Sequence, residues 1–243
     1  YSIKNIFFSQ VNISDFFVWN PHVERIDFIA ENIRALFTGE NIEVFHCFKF
    51  FSKKGDLISE ERHKSNDFFT RIKLTGPPNS SNYGSFIHYI EAKRSFHDLV
   101  KIFFKKNLFF GEQNRGYCIY YPKNSLVGSC VHGNFGGIAS NGKNLLARTR
   151  TFHLYTPAYR FESQNSYDLV FNNPTPSRIN IQIIFNNSEE THTIQISSLG
   201  TRNLKLENYS GSITFRSKLP ICRPILFKNV KALKSRNFDV LHS

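Results

Sequence analysis

The residues best placed to do chemistry are Val131-His132-Gly133-Asn134-Phe135-Gly136-Gly137. Three glycines around an imidazole and an amide let the backbone approach a ligand closely. A histidine in such a loop can serve as base, acid or ligand-binding group near neutral pH. The same residues would equally form a surface loop between two strands, with glycines that serve only the turn. Just downstream runs Arg148-Thr149-Arg150-Thr151-Phe152-His153-Leu154-Tyr155-Thr156-Pro157-Ala158-Tyr159-Arg160. In a strand, Arg148, Arg150, Phe152 and Leu154 face one way, and Thr149, Thr151, His153 and Tyr155 face the other. His153 then shares a polar face with Tyr155. If this strand neighbours the His132 loop, the two imidazoles share a site. His132, Asn134, His153, Tyr155 and Arg160 are therefore the expected ligand-binding residues.

Other chemistries find little support. No G-x-G-x-x-G or Gly-Lys-Ser/Thr stretch marks a phosphate loop, and no G-x-S-x-G marks a nucleophile elbow. The nine histidines are scattered without metal-ligand spacing, and the four cysteines form no C-x-x-C, so neither a metal nor a cofactor is expected. Cys47, Cys118 and Cys222 lie in apolar runs and read as small buried residues. Cys130, two positions before His132, would share its face in a strand, so a thiolate pair is conceivable. Arg115-Gly116-Tyr117 has the basic-Gly-aromatic opening of an RNA-binding strand. The small residue and Phe-Val core that should follow are missing, which weighs against nucleic acid. Tyr117, Tyr120 and Tyr121 could instead offer faces on which sugar rings stack, or fill a core.

Lys and Arg number 31 against 19 Asp and Glu, a net charge of +12. Such a balance suits an anionic partner such as an acidic glycan. AT-rich codon usage, which also favours the 26 phenylalanines, would give the same excess of lysine. No apolar run approaches the ~20 residues of a membrane-spanning helix. Free thiols in a chain too long to need staples favour a reducing, cytoplasmic setting.

These groups must be positioned mostly by strands. Tyr167–Phe171, Arg178–Phe185, Thr191–Ile196, Asn203–Leu206, Ser212–Arg216 and Arg223–Lys228 are short apolar runs cut by turn residues, as in an antiparallel β-sandwich. The first half reads similarly at Ile13–Trp19, Arg25–Ala30, Glu43–Phe51, Asp67–Leu74 and Tyr83–Ile90. Lys54-Gly55-Asp56 is a hairpin turn and Gly76-Pro77-Pro78 a loop. The spacing of Phe96, Leu99, Val100, Phe103 and Phe104 predicts one short helix over 95–106. Val18-Trp19-Asn20-Pro21 followed by Arg25-Ile26 parallels Val170-Phe171-Asn172-Asn173-Pro174 followed by Arg178-Ile179, a faint internal repeat. The expected fold is all-β, with two antiparallel β-sandwich (jelly-roll-like) halves packed together, over 1–110 and 111–243.

The expected function is a non-enzymatic binding or interaction protein, its ligand a carbohydrate or other polyanion such as an acidic glycan. The alternative is an enzyme acting on a sugar-like small molecule, with His132 as general acid/base at the domain junction. The oligomeric state stays open.

Overall fold

A computed structural model describes residues 13–32, 35–36, 39, 41–78, 81–92, 113–114, 116–139, 149–188, 190–219, 223–230 and 238–242. They form strands throughout. The only helical residues among them are Ala35 and Leu36, a single turn begun by the Asn32 side chain, whose Oδ1 accepts from Ala35 N at 3.2 Å. The helix predicted over 95–106 lies outside the described residues.

The strands build four antiparallel sheets. The first contains β1 (Ile13–Trp19), β3 (Val44–Phe51), β4 (Leu57–Ser65), β6 (Gly84–Ala92) and β10 (Asn134–Ala139) in the order β10-β1-β6-β3-β4. The short β7 (Gln113–Asn114) adds to β1 in parallel. The second sheet contains β2 (Arg25–Glu31), β5 (Phe69–Lys73), β8 (Tyr117–Tyr121) and β9 (Ser129–His132), ordered β5-β2-β8-β9. The third contains β12 (Asn165–Asn172), β15 (Thr201–Glu207), β17 (Ile225–Val230) and β18 (Phe238–His242), ordered β15-β12-β17-β18. The fourth contains β11 (His153–Tyr155), β13 (Ile179–Phe185), β14 (Thr191–Ile196) and β16 (Ile213–Ser217), ordered β11-β16-β13-β14.

The chain is thus all-β as expected. Its four small sheets are set like blades rather than as two clearly separate sandwiches. The join expected at 110/111 falls among strands of the same two sheets. β8 pairs with β2 and β10 with β1, so residues after 110 complete sheets that the first 92 residues begin.

Alternation along the strands explains the burial. Phe17 and Phe86 stack at 5.1 Å between ring centroids, Phe28 meets Phe17 edge-on at 4.9 Å, and Phe48 meets Phe28 at 5.1 Å. These rings centre a first core between the first two sheets, which Val170, Ile225, Phe227 and Val240 of the third sheet also enter. A second core lies between the third and fourth sheets, around Phe171, Phe215, Tyr167 and Ile181.

Two corners repeat. Asn20 Oδ1 accepts from His22 N at 2.9 Å, and Asn173 Oδ1 accepts from Thr175 N at 3.0 Å. Each Asn-Pro corner carries the chain from one sheet into another, β1 to β2 and β12 to β13. The faint sequence repeat therefore corresponds to the same side-chain-closed turn, built twice.

The halves also meet at a seam of two turns. The β3–β4 hairpin turns at Gly55 (φ 95°) as its residues suggested, and Gly55 N donates to Ser52 O at 2.9 Å. This turn lies against the 197–200 turn, where Thr201 N donates to Lys53 O at 3.1 Å. A Cβ on Gly55 would run into the Ser198 carbonyl. Leu199, itself at φ 56°, covers Phe16, Phe51 and Ile87 on the far face of the first sheet.

Two stability predictions follow from this packing. Phe86→Ala should cost about 3–5 kcal/mol, read as a lower urea midpoint, because its ring touches Phe17, Phe28, Phe48 and Phe50. Gly55→Ala should cost about 2 kcal/mol or more, since it combines a left-handed backbone with a backbone clash. Leu126→Ala, at an exposed loop position, should shift the midpoint by less than ~0.5 kcal/mol and serves as the control.

Candidate functional site

Four of the five expected site residues fall on three sheets, and Arg160 lies in no strand. His132 ends β9 and is exposed, its ring 4.3 Å from that of Tyr117 across the β8–β9 pair. Only Gly133 separates it from β10, so the expected loop is a strand crossing between two sheets. A Cβ on Gly133 would press on Phe17 and Asp15, so this glycine answers to close packing. Asn134 begins β10 beside Phe16. It is buried, and its Nδ2 donates to Arg223 O at 2.8 Å. His153 and Tyr155 lie on β11 of the fourth sheet. The His153 Nε2–Thr149 Oγ1 separation is 2.9 Å, and Tyr155 stacks on Phe215 at the second core. Arg160 is exposed beside Phe161, which bridges to Gly211. His132 and His153 thus occupy edge strands of different sheets.

The expected alternation holds over β11, the part of 148–155 that forms a strand. The His153–Tyr155 face turns inward, while Phe152 (48% exposed) and Leu154 (68%) look out. Tyr155 is drawn in because β11 pairs with β16 in a register that sets it beside buried Phe215.

Two outward sheet faces carry the polar chemistry. On the second sheet, register aligns Arg71, Ile29, Tyr117 and His132 in one row, and Lys73, Asp27, Ile119 and Cys130 in the next. Arg71 Nε donates to Asp27 Oδ2 at 2.7 Å, and Arg25 Nε lies 3.0 Å from Asp27 Oδ1. The Arg25 guanidinium sits 4.0 Å over the Tyr121 ring, whose hydroxyl is bonded by Arg71 Nη2. Asp27 is thus a buried carboxylate clamped by two arginines, and it offsets part of their charge. Cys130 is exposed, and desolvation pushes its thiol up. It is therefore not an activated thiolate beside His132.

The outward face of the fourth sheet differs. Its rows are Leu154, Arg216, Gln182 and Thr193, then Thr156, Thr214, Ile184 and Thr191. Beyond them Asn180 and Gln195 pair, with Gln195 Nε2 donating to Asn180 Oδ1 at 3.2 Å. Not one of these positions is acidic. Arg216 Nη1 donates to the neutral Gln182 Oε1 at 3.0 Å, and the Thr156 and Thr214 hydroxyls meet at 2.8 Å. The Phe152 ring lies under both the Arg216 guanidinium, at 4.2 Å, and the Lys218 ammonium, at 5.3 Å. The result is a surface of hydroxyls and amides around Leu154 and Ile184, with two cations gathered on an aromatic ring at one end. Amides and hydroxyls exchange hydrogen bonds with sugar hydroxyls, and a ring face accepts sugar C–H groups.

Charge decides between the two faces. A unit anion 4 Å from a cation gains about 1 kcal/mol in water and about 4 kcal/mol in a partly desolvated surface site. On the second sheet Asp27 already takes up part of that attraction. On the fourth sheet Arg216 and Lys218 have no carboxylate partner among the described residues. The sequence put Phe152 on a basic face but gave no hint of Arg216 and Lys218, because pairing 60 residues apart depends on register.

A further group of titratable residues lies where the third sheet meets the first half. The Tyr83 hydroxyl lies near the Asp168 carboxyl. The His22 ring stands edge-on to Tyr83 at 5.3 Å. Burial raises the Asp168 carboxyl, opposed by Tyr83, Lys205 and His22. This group is accounted for as the polar closure of the first core, next to Phe227.

Among the described residues no helix is long and apolar enough to cross a membrane, and no three metal-ligating side chains converge. Compared with known proteins, the chain matches no protein-family model, no curated protein and no solved structure.

Proposed function

We propose that this chain is a non-enzymatic binding protein, that its ligand is a carbohydrate bearing acidic groups, and that it is held on the outward face of the fourth sheet. The observation that carries this reading is the carboxylate-free array of Thr, Asn and Gln with Arg216 and Lys218 over Phe152. Arg160, Arg150 and Arg178, all exposed, add to the positive field of this half. His153 and Tyr155 act from beneath, fixing the strand that presents Phe152 and Leu154. Two packed sandwich-like halves belong to the same proposal, the first core serving one and the second the other, with a cytoplasmic setting suggested by the unpaired thiols of Cys47, Cys118 and Cys130. The alternative, an enzyme with His132 as general acid/base, draws support only from the exposure of that imidazole beside Tyr117.

Binding to heparin and polygalacturonate, with uncharged dextran as the neutral probe, tests the reading at rising salt. The acidic polymers should bind at low salt and weaken as salt rises. Arg216→Gln with Lys218→Gln should weaken binding about 30-fold, near 2 kcal/mol for two surface charges, with the melting temperature unchanged. Phe152→Ala should weaken it as well, while His132→Ala should leave it as in the wild type. Absence of binding to every probe at low salt would remove the proposal. Loss of binding in His132→Ala alone would move the ligand to the Tyr117 face.

A further inference from the structure

Two histidines sit inside the first core. His46 on β3 and His88 on β6 are both 0% exposed, and His46 Nδ1 lies 3.0 Å from His88 Nε2. Register sets His88 opposite Phe48 and His46 opposite Ile90, so the two imidazoles are diagonal neighbours on one sheet face. That face looks at the second sheet, where the Phe28 ring is 4.8 Å from His88. One ring donates to the other across this contact, and burial favours the neutral form of both. The outer nitrogens, His46 Nε2 and His88 Nδ1, are buried with no hydrogen-bond partner among the described residues. A second proton would face either the other ring's N–H or an apolar wall, and each costs far more than the same proton in water.

Among the described residues no carboxylate is hydrogen-bonded to either ring. β4 contributes His63, opposite His46 in register and bonded to Glu61 Oε2 at 3.2 Å. β1 contributes the neutral Ser14, whose Oγ accepts from His88 N at 2.9 Å, and next to it the buried Asp15. β2 contributes Phe28, while its Asp27 is engaged by arginines on the outward face. On β3 and β6 themselves, Lys49, Tyr89 and Glu91 alternate to the opposite face.

We propose that the His46–His88 pair is an acid-operated lock, which keeps the first two sheets together near neutral pH and releases them on mild acidification while the second core stays closed. Burial, then the charge of His63, lowers His46 to about 4, and burial, then His46, lowers His88 well below its ordinary value. Both lie below the ~6.5 of a free imidazole, so the unfolded chain binds more protons. The stabilisation is complete above ~6.5 and falls as pH drops from there toward 4. With two such groups, the folded-to-unfolded ratio should drop about 500-fold between pH 7 and pH 5. The second core is built from aliphatic, Phe and Tyr side chains; the histidines at its edge, half-buried His153 and exposed His192 beside Phe185, are not buried within it.

Urea titrations at pH 7 and pH 5, joined to amide exchange at both, read the lock directly. The wild type should lose stability steeply, with β1, β3 and β6 losing protection before β13 and β16. His46→Leu with His88→Phe should flatten the dependence. Equal wild-type stability at the two pH values, or an undiminished drop in the double variant, overturns the proposal. Should the variant fail to fold, side-chain NMR of the wild type decides. Two of the nine imidazoles should stay neutral down to pH 5, and nine ordinary titrations near 6.5 overturn the lock.

Discussion

Strand β12 is buried on both sides, and the rest of the molecule depends on that. Val170 points into the first core, while Tyr167, Leu169 and Phe171 enter the second. Its backbone is paired along both edges, to β15 and to β17. One strand thus supplies a wall to each of the two cores. Asn172 and Asn173 anchor its end. Asn173 Nδ2 donates to the carbonyls of Ser177, Ile196 and Ser197 at 2.9–3.1 Å, and its own Oδ1 accepts from Thr175. A buried amide with this many partners fixes the corner that sends the chain to β13, and through it the distance between the third and fourth sheets. The turn seam at Gly55 and Leu199 supplies a second tie between the halves. Residues from both sides of 110 thus share sheets and seams.

How much of this was legible in the sequence depended on how apolar each strand is. β1 and β14 match their expected spans, and β12, β13, β15 and β16 lie within a few residues of theirs, because period-two alternation of Ile, Val and Phe is a strong signal. β4 was invisible. Leu57-Ile58-Ser59-Glu60-Glu61-Arg62-His63-Lys64-Ser65 carries its charges on an edge strand, where neither face needs to be apolar. Polarity misled once more at β11, where Tyr155 looked like a surface aromatic and is packed on Phe215. Side-chain contacts between strands are less legible than the strands, for a physical reason. Arg216 meets Phe152, Arg71 meets Asp27 and His46 meets His88 only through register between strands far apart in the chain. No local spacing encodes that.

The two outward faces show how one acidic residue changes what a basic sheet can do. On the second sheet, Asp27 converts Arg25 and Arg71 into a clamp on Tyr121, which orders the surface but offsets its charge. On the fourth sheet, Arg216 is oriented by an amide, which supplies geometry without neutralisation. The same residue type serves structure in one place and leaves a field in the other.

The charges of β4 have a consequence for how the chain behaves in a crowded solution. A protein with 26 phenylalanines carries many segments able to stack into intermolecular β-structure once exposed. The nine residues of β4 form an edge of their sheet, the usual template for such growth. Glu60, Glu61, Arg62 and Lys64 stand along it, each tied to a neighbour: Glu60 to Lys49, Glu61 to His63, Arg62 to Glu91 and Lys64 to Glu43. A strand approaching from another molecule would have to strip water from this mixed-sign row and break its existing pairs. The mixed charges that hide β4 in the sequence thus make this edge a poor template for strand addition.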